Sequence, residues 1–250
     1  MREKYSEKRI VSSYEANANH NLRPAALMDM MQEAAGRDAS TLGFGYEEMI
    51  SSNSAWVLSR LRVVFEKYPK WRDEIVLKTW HKGANRIFYL RDFLLESPQG
   101  ERLASATTSW LIIDLSSRRM VRNNTLAENF DNSEMGAAIE EPADKVTMPK
   151  EVEPELVHTH KVVWSDIDTN GHVNNVKYAV WALDVVDYDD AAKLPLKEIL
   201  INFDSEVLPG QEVELYRAKL VEEGRTIYYV QGKVQGKVQG KVCFSIKLNF

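Results

Sequence analysis

The densest run of chemically able side chains is W-S-D-I-D-T-N-G-H-V-N-N at 164–175. Asp168, Asn170 and His172 recur at i, i+2 and i+4, which sets all three on one side of an extended turn. A carboxylate, an amide and an imidazole sharing one face can bind, orient and activate a water. The plainer reading is that Asp168 and Asn170 cap the turn and the helix behind it, a common use of these residue types. On the motif alone the two readings stand level. A helix opening here would set His172 at its N-terminus, where unpaired N–H groups and partial positive charge can cradle an oxyanion. Gly171 gives the turn a residue free of Cβ strain.

A second candidate is Glu206, at the end of a predicted strand over 198–207 and just before Pro209-Gly210. Strand alternation sets Glu206 on the face shared with Leu200, Asn202 and Asp204. Other chemistries find less support. D-I-D-T-N-G (166–171) imitates the opening of an EF-hand loop, but the twelfth position, which needs glutamate, is Lys177. There is no GxSxG elbow, phosphate-binding loop or dinucleotide fingerprint. His158 and His160 alternate along a predicted strand without a cysteine or third histidine to complete a metal site. Cys243, the one cysteine, lies between apolar residues and reads as core.

The elements that must position these groups are written twice. A strand over 8–15, a turn at 16–23 and a helix from Pro24, with Leu27, Met28, Met31, Ala34 and Ala35 at helical spacing, lead to strands at 55–66, 73–81, 86–96 and 101–115. The second half repeats the order: a strand over 157–165, a turn at 168–172 and a helix over 173–188. The apolar positions of that helix are Val173, Val176, Val180 and Leu183, and strands follow at 198–207, 211–221, 226–238 and 240–249. Laid side by side without gaps, 65–77 matches 203–215 and 14–24 matches 164–174. That alignment sets Ala18 opposite Asp168, Leu22 opposite His172 and Tyr68 opposite Glu206. One half then carries reactive groups and the other lacks them, as suits a protein that binds with one half and reacts with the other. The expected division is 1–125 for an acyl-binding half, 126–154 for a polar, proline-bearing linker and 155–250 for a catalytic half. The repeat Q-G-K-V at 231–242 reads as a local duplication or as a strand with a small-residue inner face.

A 250-residue chain that is 44% hydrophobic and 28% charged has the balance of a soluble globular protein. A net charge of −5 argues against nonspecific nucleic-acid binding. Two small basic clusters, Lys67/Lys70/Arg72 and Arg118/Arg119/Arg122, read as solvated surface. No run is long and apolar enough for a membrane span or a signal peptide, so a cytoplasmic location is expected.

The stretch W-S-D-I-D-T-N-G-H-V-N-N-V-K-Y resembles the signature of acyl-acyl-carrier-protein thioesterases, the plant plastid enzymes and their bacterial relatives. Segments 27–39, 56–75, 91–96 and 109–119 extend the resemblance through the first half. It implies an α+β, tandem hotdog fold, each half a long helix wrapped by an antiparallel sheet. It implies hydrolysis of a fatty acyl thioester to free fatty acid and holo-carrier protein, ending chain elongation, with no cofactor and no metal. The partner would be the acidic acyl carrier protein, with neither nucleic acid nor membrane involved; a homodimer is left open. The family's catalytic groups fall on Asp168, Asn170, His172 and Glu206. The cysteine that follows the glutamate in plant members is Val207 here. The plant transit peptide has no counterpart, which fits a bacterial cytosolic enzyme. The acyl tail is expected beside Met28, Met31 and Trp56, with Asn174 also at the substrate. Two rivals are an acyl-CoA hydrolase of the same fold and a non-catalytic acyl-binding sensor.

Overall fold

Pro24 opens the long helix of the first half because its fixed φ and missing N–H suit the first helical position. The computed structural model describes residues 3–121, 135–235 and 240–250. The chain divides into two units, Met1–Ala143 and Asp144–Phe250. In the first, α1 (Pro24–Thr41) buries Leu27, Met28, Met31, Ala34 and Ala35, as their spacing predicts, and also Ala26, Met30 and Asp38. A short helix, α2 (Tyr46–Ser51), follows. The strands are β1 (Tyr5–Ile10), β2 (Ser54–Phe65), β3 (Glu74–Asn85), β4 (Phe88–Glu96) and β5 (Arg102–Asp114). They pair antiparallel in the order β1-β3-β4-β5-β2. Residues 135–143 lie along this sheet: the Trp80 indole donates to the Gly136 carbonyl (2.9 Å) and the Ala138 N–H to Asp92 Oδ2 (2.7 Å).

The second unit repeats the design with β6 (Glu155–Lys161), α3 (Asn175–Asp184), α4 (Tyr188–Lys193), β7 (Glu198–Phe203), β8 (Glu212–Glu222), β9 (Arg225–Val234) and β10 (Lys241–Asn249). Its antiparallel order is β7-β10-β9-β8-β6. Each unit is thus a helix set against an antiparallel sheet, the α+β hotdog design in tandem along the chain.

Several expectations need correction. The strand predicted at 8–15 ends at Ile10, and Ser13–Glu15 forms a 3-10 turn. The helix predicted over 173–188 spans Asn175–Asp184, and Val185 and Val186 break it from α4. Its buried face is Val176, Tyr178, Ala179, Trp181 and Ala182; Val180 and Leu183 are only half-buried, because the aromatic residues take the core side. Strand β7 stops at Phe203, so Glu206 sits in a loop and not on a strand face. Within the Q-G-K-V repeat, 236–239 lie outside the described residues, as does Arg122 of the second basic cluster. Lys67 of the first cluster is paired with Glu101 at 3.0 Å.

The entry into each helix is built on one hydrogen-bond pattern. Asn17 N–H donates to the Asn21 carbonyl (2.8 Å) as Asp168 N–H does to that of His172 (2.9 Å). Arg23 N–H reaches the Glu15 carbonyl (2.9 Å) as Asn174 N–H reaches that of Asp166 (2.8 Å). Leu22 N–H meets the Pro69 carbonyl (2.8 Å) as Val173 N–H meets that of Val207 (2.9 Å). His20 and Gly171 both take positive φ, 61° and 79°. These matches shift the first stretch of the hand alignment by one residue. Asn17, Asn19 and Asn21 stand where Asp168, Asn170 and His172 stand, in place of Ala18 and Leu22. Tyr68 stays opposite Glu206.

Candidate active site

His172 and Glu206 meet across two loops, with Nε2 3.4 Å from Oε2 and side chains 27% and 42% exposed. The Glu206 loop is fastened on both sides. Asp204 and Ser205 donate their N–H groups to the Cys243 carbonyl (2.9 and 3.1 Å), and Ser205 Oγ donates to that of Val242 (3.0 Å). On the other side the fully buried Val207 accepts from Val173 N–H. A carboxylate on so short a tether is held within reach of the imidazole by backbone, before any side-chain contact is counted.

The His172 loop closes on itself. Gly171 N–H donates to the Asp168 carbonyl (3.0 Å), and Asp168 Oδ1 accepts from Asn170 N–H (2.8 Å). Asp168 therefore does cap the turn, with one oxygen. Asn170 is exposed on the same loop. His172 lies three residues before the first residue of α3, so it is not at the helix N-terminus as expected. Nor is that terminus an open cradle. Asn174 Oδ1 accepts from Val176 N–H (2.9 Å) and the Asn174 carbonyl from Lys177 N–H (2.9 Å). The side-chain oxygen of Asn174, expected at the substrate, is thus the α3 cap.

Of the residues expected along the acyl tail, Met28 and Met31 are buried on α1. Trp56 packs in a cluster with Met49, Tyr89 and Ile112, and its indole donates to the Phe44 carbonyl (3.0 Å). Val207 carries no thiol, and Cys243 is fully buried with its pKa pushed up to about 12 by burial, so neither supplies a thiolate nucleophile near neutral pH.

Sequence reasoning missed a second histidine–carboxylate pair. His160 Nε2 lies 2.8 Å from Oδ2 of the buried Asp166, which also accepts from Val163 N–H (3.0 Å). The His160 ring rests on Trp181 with centroids 4.3 Å apart. His160, Trp181, Asp184 and Arg217 line a cavity of about 530 Å³ that reaches the C-terminal end of α3. Among the described residues no group of three or more His, Cys, Asp or Glu could hold a metal ion. No described helix is long and apolar enough to cross a membrane.

Comparison with known proteins bears on what this geometry is for. In the cotton plant Gossypium hirsutum, a chloroplastic palmitoyl-acyl carrier protein thioesterase is 31% identical over 206 residues, covering 78% of this chain and 48% of its own length. An oleoyl-acyl carrier protein thioesterase of Arabidopsis thaliana is 26% identical, covering 89% of this chain and 66% of its own. The chain thus spans about half the length of the cotton relative. A crystal structure of an acyl-ACP thioesterase from Bacteroides thetaiotaomicron superposes with a TM-score of 0.85 over 97% of this chain and 96% of its own, at 24% identity. The 12:0-ACP thioesterase from Umbellularia californica superposes with a TM-score of 0.83 over 98% and 93%, at 20% identity. At those identities the two structures speak for the fold. Residues 2–127 match the acyl-ACP thioesterase N-terminal domain and residues 149–249 its C-terminal domain, and by these two matches the chain belongs to the acyl-ACP thioesterase family.

Proposed function

We propose that the chain hydrolyses the thioester between a fatty acyl chain and acyl carrier protein, in the cytoplasm, releasing free fatty acid and holo-carrier protein. The observation that carries this reading is the His172–Glu206 contact at 3.4 Å, in a chain both of whose halves match the family. The pair would position a water and take its proton as the water oxygen attacks the thioester carbonyl. The C–S bond then breaks, and the proton passes to the departing thiol sulfur. Asn170, exposed beside His172, would hold the carbonyl or the water in line. Asp168 has one carboxylate oxygen beyond its turn bond and would orient the site.

The test compares hydrolysis of one acyl chain presented on acyl carrier protein and on coenzyme A. Faster turnover of the carrier-bound thioester is expected. Equal or faster turnover of the coenzyme A ester would favour an acyl-CoA hydrolase of this fold. Saturable acyl binding with no hydrolysis of either would favour a sensor.

A further inference from the structure

His172 rides on a tight hairpin, and Asp166 stands at its root. Asp168 N–H donates to the His172 carbonyl (2.9 Å), Ile167 pairs antiparallel with Val173, and the Asp166 carbonyl accepts from Asn174 N–H (2.8 Å). The Asp166 carboxylate is buried and is held from outside the hairpin. Its Oδ2 accepts from Val163 N–H (3.0 Å) and lies 2.8 Å from His160 Nε2, while Lys177 Nζ stands 3.9 Å from Oδ1. An ionised carboxylate can only accept, so the imidazole donates from Nε2. His160 belongs to β6, and its ring rests in turn on Trp181 of α3, centroids 4.3 Å apart. The hydrogen bond thus ties the root of the His172 hairpin to the sheet and, through the stacked ring, to the helix.

The first unit carries the same root in a looser form. Glu15 stands where Asp166 stands: its carbonyl accepts from Arg23 N–H (2.9 Å), and its buried carboxylate accepts from Ser12 N–H (2.7 Å). Its edge-strand partner is Arg9 of β1 at 3.6 Å, where the second unit has His160 of β6 at 2.8 Å. Strand register supports the match: Glu7 and Arg9 lie opposite Leu77 and Ile75, as His158 and His160 lie opposite Leu215 and Val213. The residue six beyond the helix start is Trp181 after Asn175 and Met30 after Pro24. Both members of the pair are therefore shorter where the hairpin carries His172, and the helix offers a rigid ring where α1 has a flexible methionine. Side chains with fewer rotatable bonds hold a set distance at less entropic cost. The hairpin that bears Asn17, Asn19 and Asn21 does without that stiffness.

We infer that His160 and Asp166 are a positioning pair for the reaction, their hydrogen bond fixing the root of the hairpin so that His172 stays within reach of Glu206. This rests on the thioesterase reading above. The test uses three single variants. His160→Leu still packs on Trp181 but cannot hydrogen-bond, His160→Gln sets an amide nitrogen where Nε2 stands, and Asp166→Ala removes the acceptor. Steady-state hydrolysis of acyl carrier protein thioester and urea unfolding are measured for each, and for His160→Leu combined with Asp166→Ala. His160→Leu and Asp166→Ala should each lose about tenfold in kcat, the size of one hydrogen bond, with KM within about twofold. The double variant should lose no more than the larger single loss. His160→Gln, with the bond restored, should return kcat to within about threefold of wild type. Should Asp166→Ala fail to fold, the contrast between His160→Leu and His160→Gln still decides. Near-native kcat in His160→Leu, no recovery in His160→Gln, or losses that multiply in the double variant would overturn the inference, as would lost urea stability with kcat intact. A folded wild-type protein without hydrolysis would instead remove the thioesterase reading, and this role with it.

Discussion

Asn17 and Asp168 perform the same backbone task in the two halves of the chain: each Oδ1 accepts from the N–H two residues on, at 2.9 and 2.8 Å. Asn17 does so without charge. The turn therefore needs the oxygen and not the carboxylate, and the negative charge at 168 is surplus to the fold. Capping and chemistry, level in the sequence, separate here: Asp168 does the first with one atom and has a charge left for the second.

Asp168→Asn should accordingly fold as the parent does, with urea stability changed by under about 0.5 kcal/mol. Hydrolysis should fall roughly a hundredfold, the lower range for loss of a group that serves a positioned base. Equilibrium unfolding and fatty acid release on the same preparation check both halves of this. Retained turnover would mean that the charge is not used.

Gly232 is fixed by packing against an aromatic ring. A Cβ built there lies 2.2 Å from Phe244 Cε1, and Phe244 is the ring on which Tyr178 stacks. Gly232→Ala should cost about 1–3 kcal/mol by overpacking. Gly36, in the middle of α1 with nothing within 4 Å of its Cβ position, is the opposite case. Gly36→Ala should stabilise by about 0.5–1 kcal/mol through helix propensity. Urea midpoints moving the same way for both variants would contradict the packing described.

Asp187 predicts how the second unit meets acid. The Lys219 ammonium (2.8 Å) and the Tyr228 hydroxyl (2.9 Å) hydrogen-bond to its carboxylate, and the Arg217 guanidinium (2.7 Å) adds its charge. Together they hold its pKa down at about 2, against an ordinary 3.8. A depressed carboxylate stabilises the fold above its unfolded pKa and loses that contribution as pH falls through the folded one. The stability gap between wild type and Asp187→Asn should be constant above about pH 4 and close between pH 4 and pH 2, as denaturation at stepped pH would show. A gap that widens on acidification would contradict the assignment.

Much of the fold was legible because its signals are periodic. The spacing of Leu27, Met28, Met31, Ala34 and Ala35 gave α1, and alternation gave eight of the ten strands near their observed places; β1 and β6 were each expected too far along the chain, into what are 3-10 turns at Ser13–Glu15 and Trp164–Asp166. What escaped was local. The gapless match of 14–24 with 164–174 laid Trp164 on Tyr14, and this one-residue slip hid the Asn17-x-Asn19-x-Asn21 series, although it has the same spacing as Asp168, Asn170 and His172. The matched backbone hydrogen bonds of the two helix entries set the register.

The site was legible as residue types and much less as geometry. Glu206 was read on a strand because I-L-I-N-F-D-S-E-V alternates, yet two backbone bonds from Asp204 and Ser205 to the Cys243 carbonyl end the strand early.

The most direct test of the central claim is release of free fatty acid from acyl carrier protein thioester by wild type, Glu206→Gln and His172→Asn. The account predicts turnover by wild type and a loss of about 10²–10⁴ in kcat for each variant, with folding retained. Near-native turnover by both variants would contradict it.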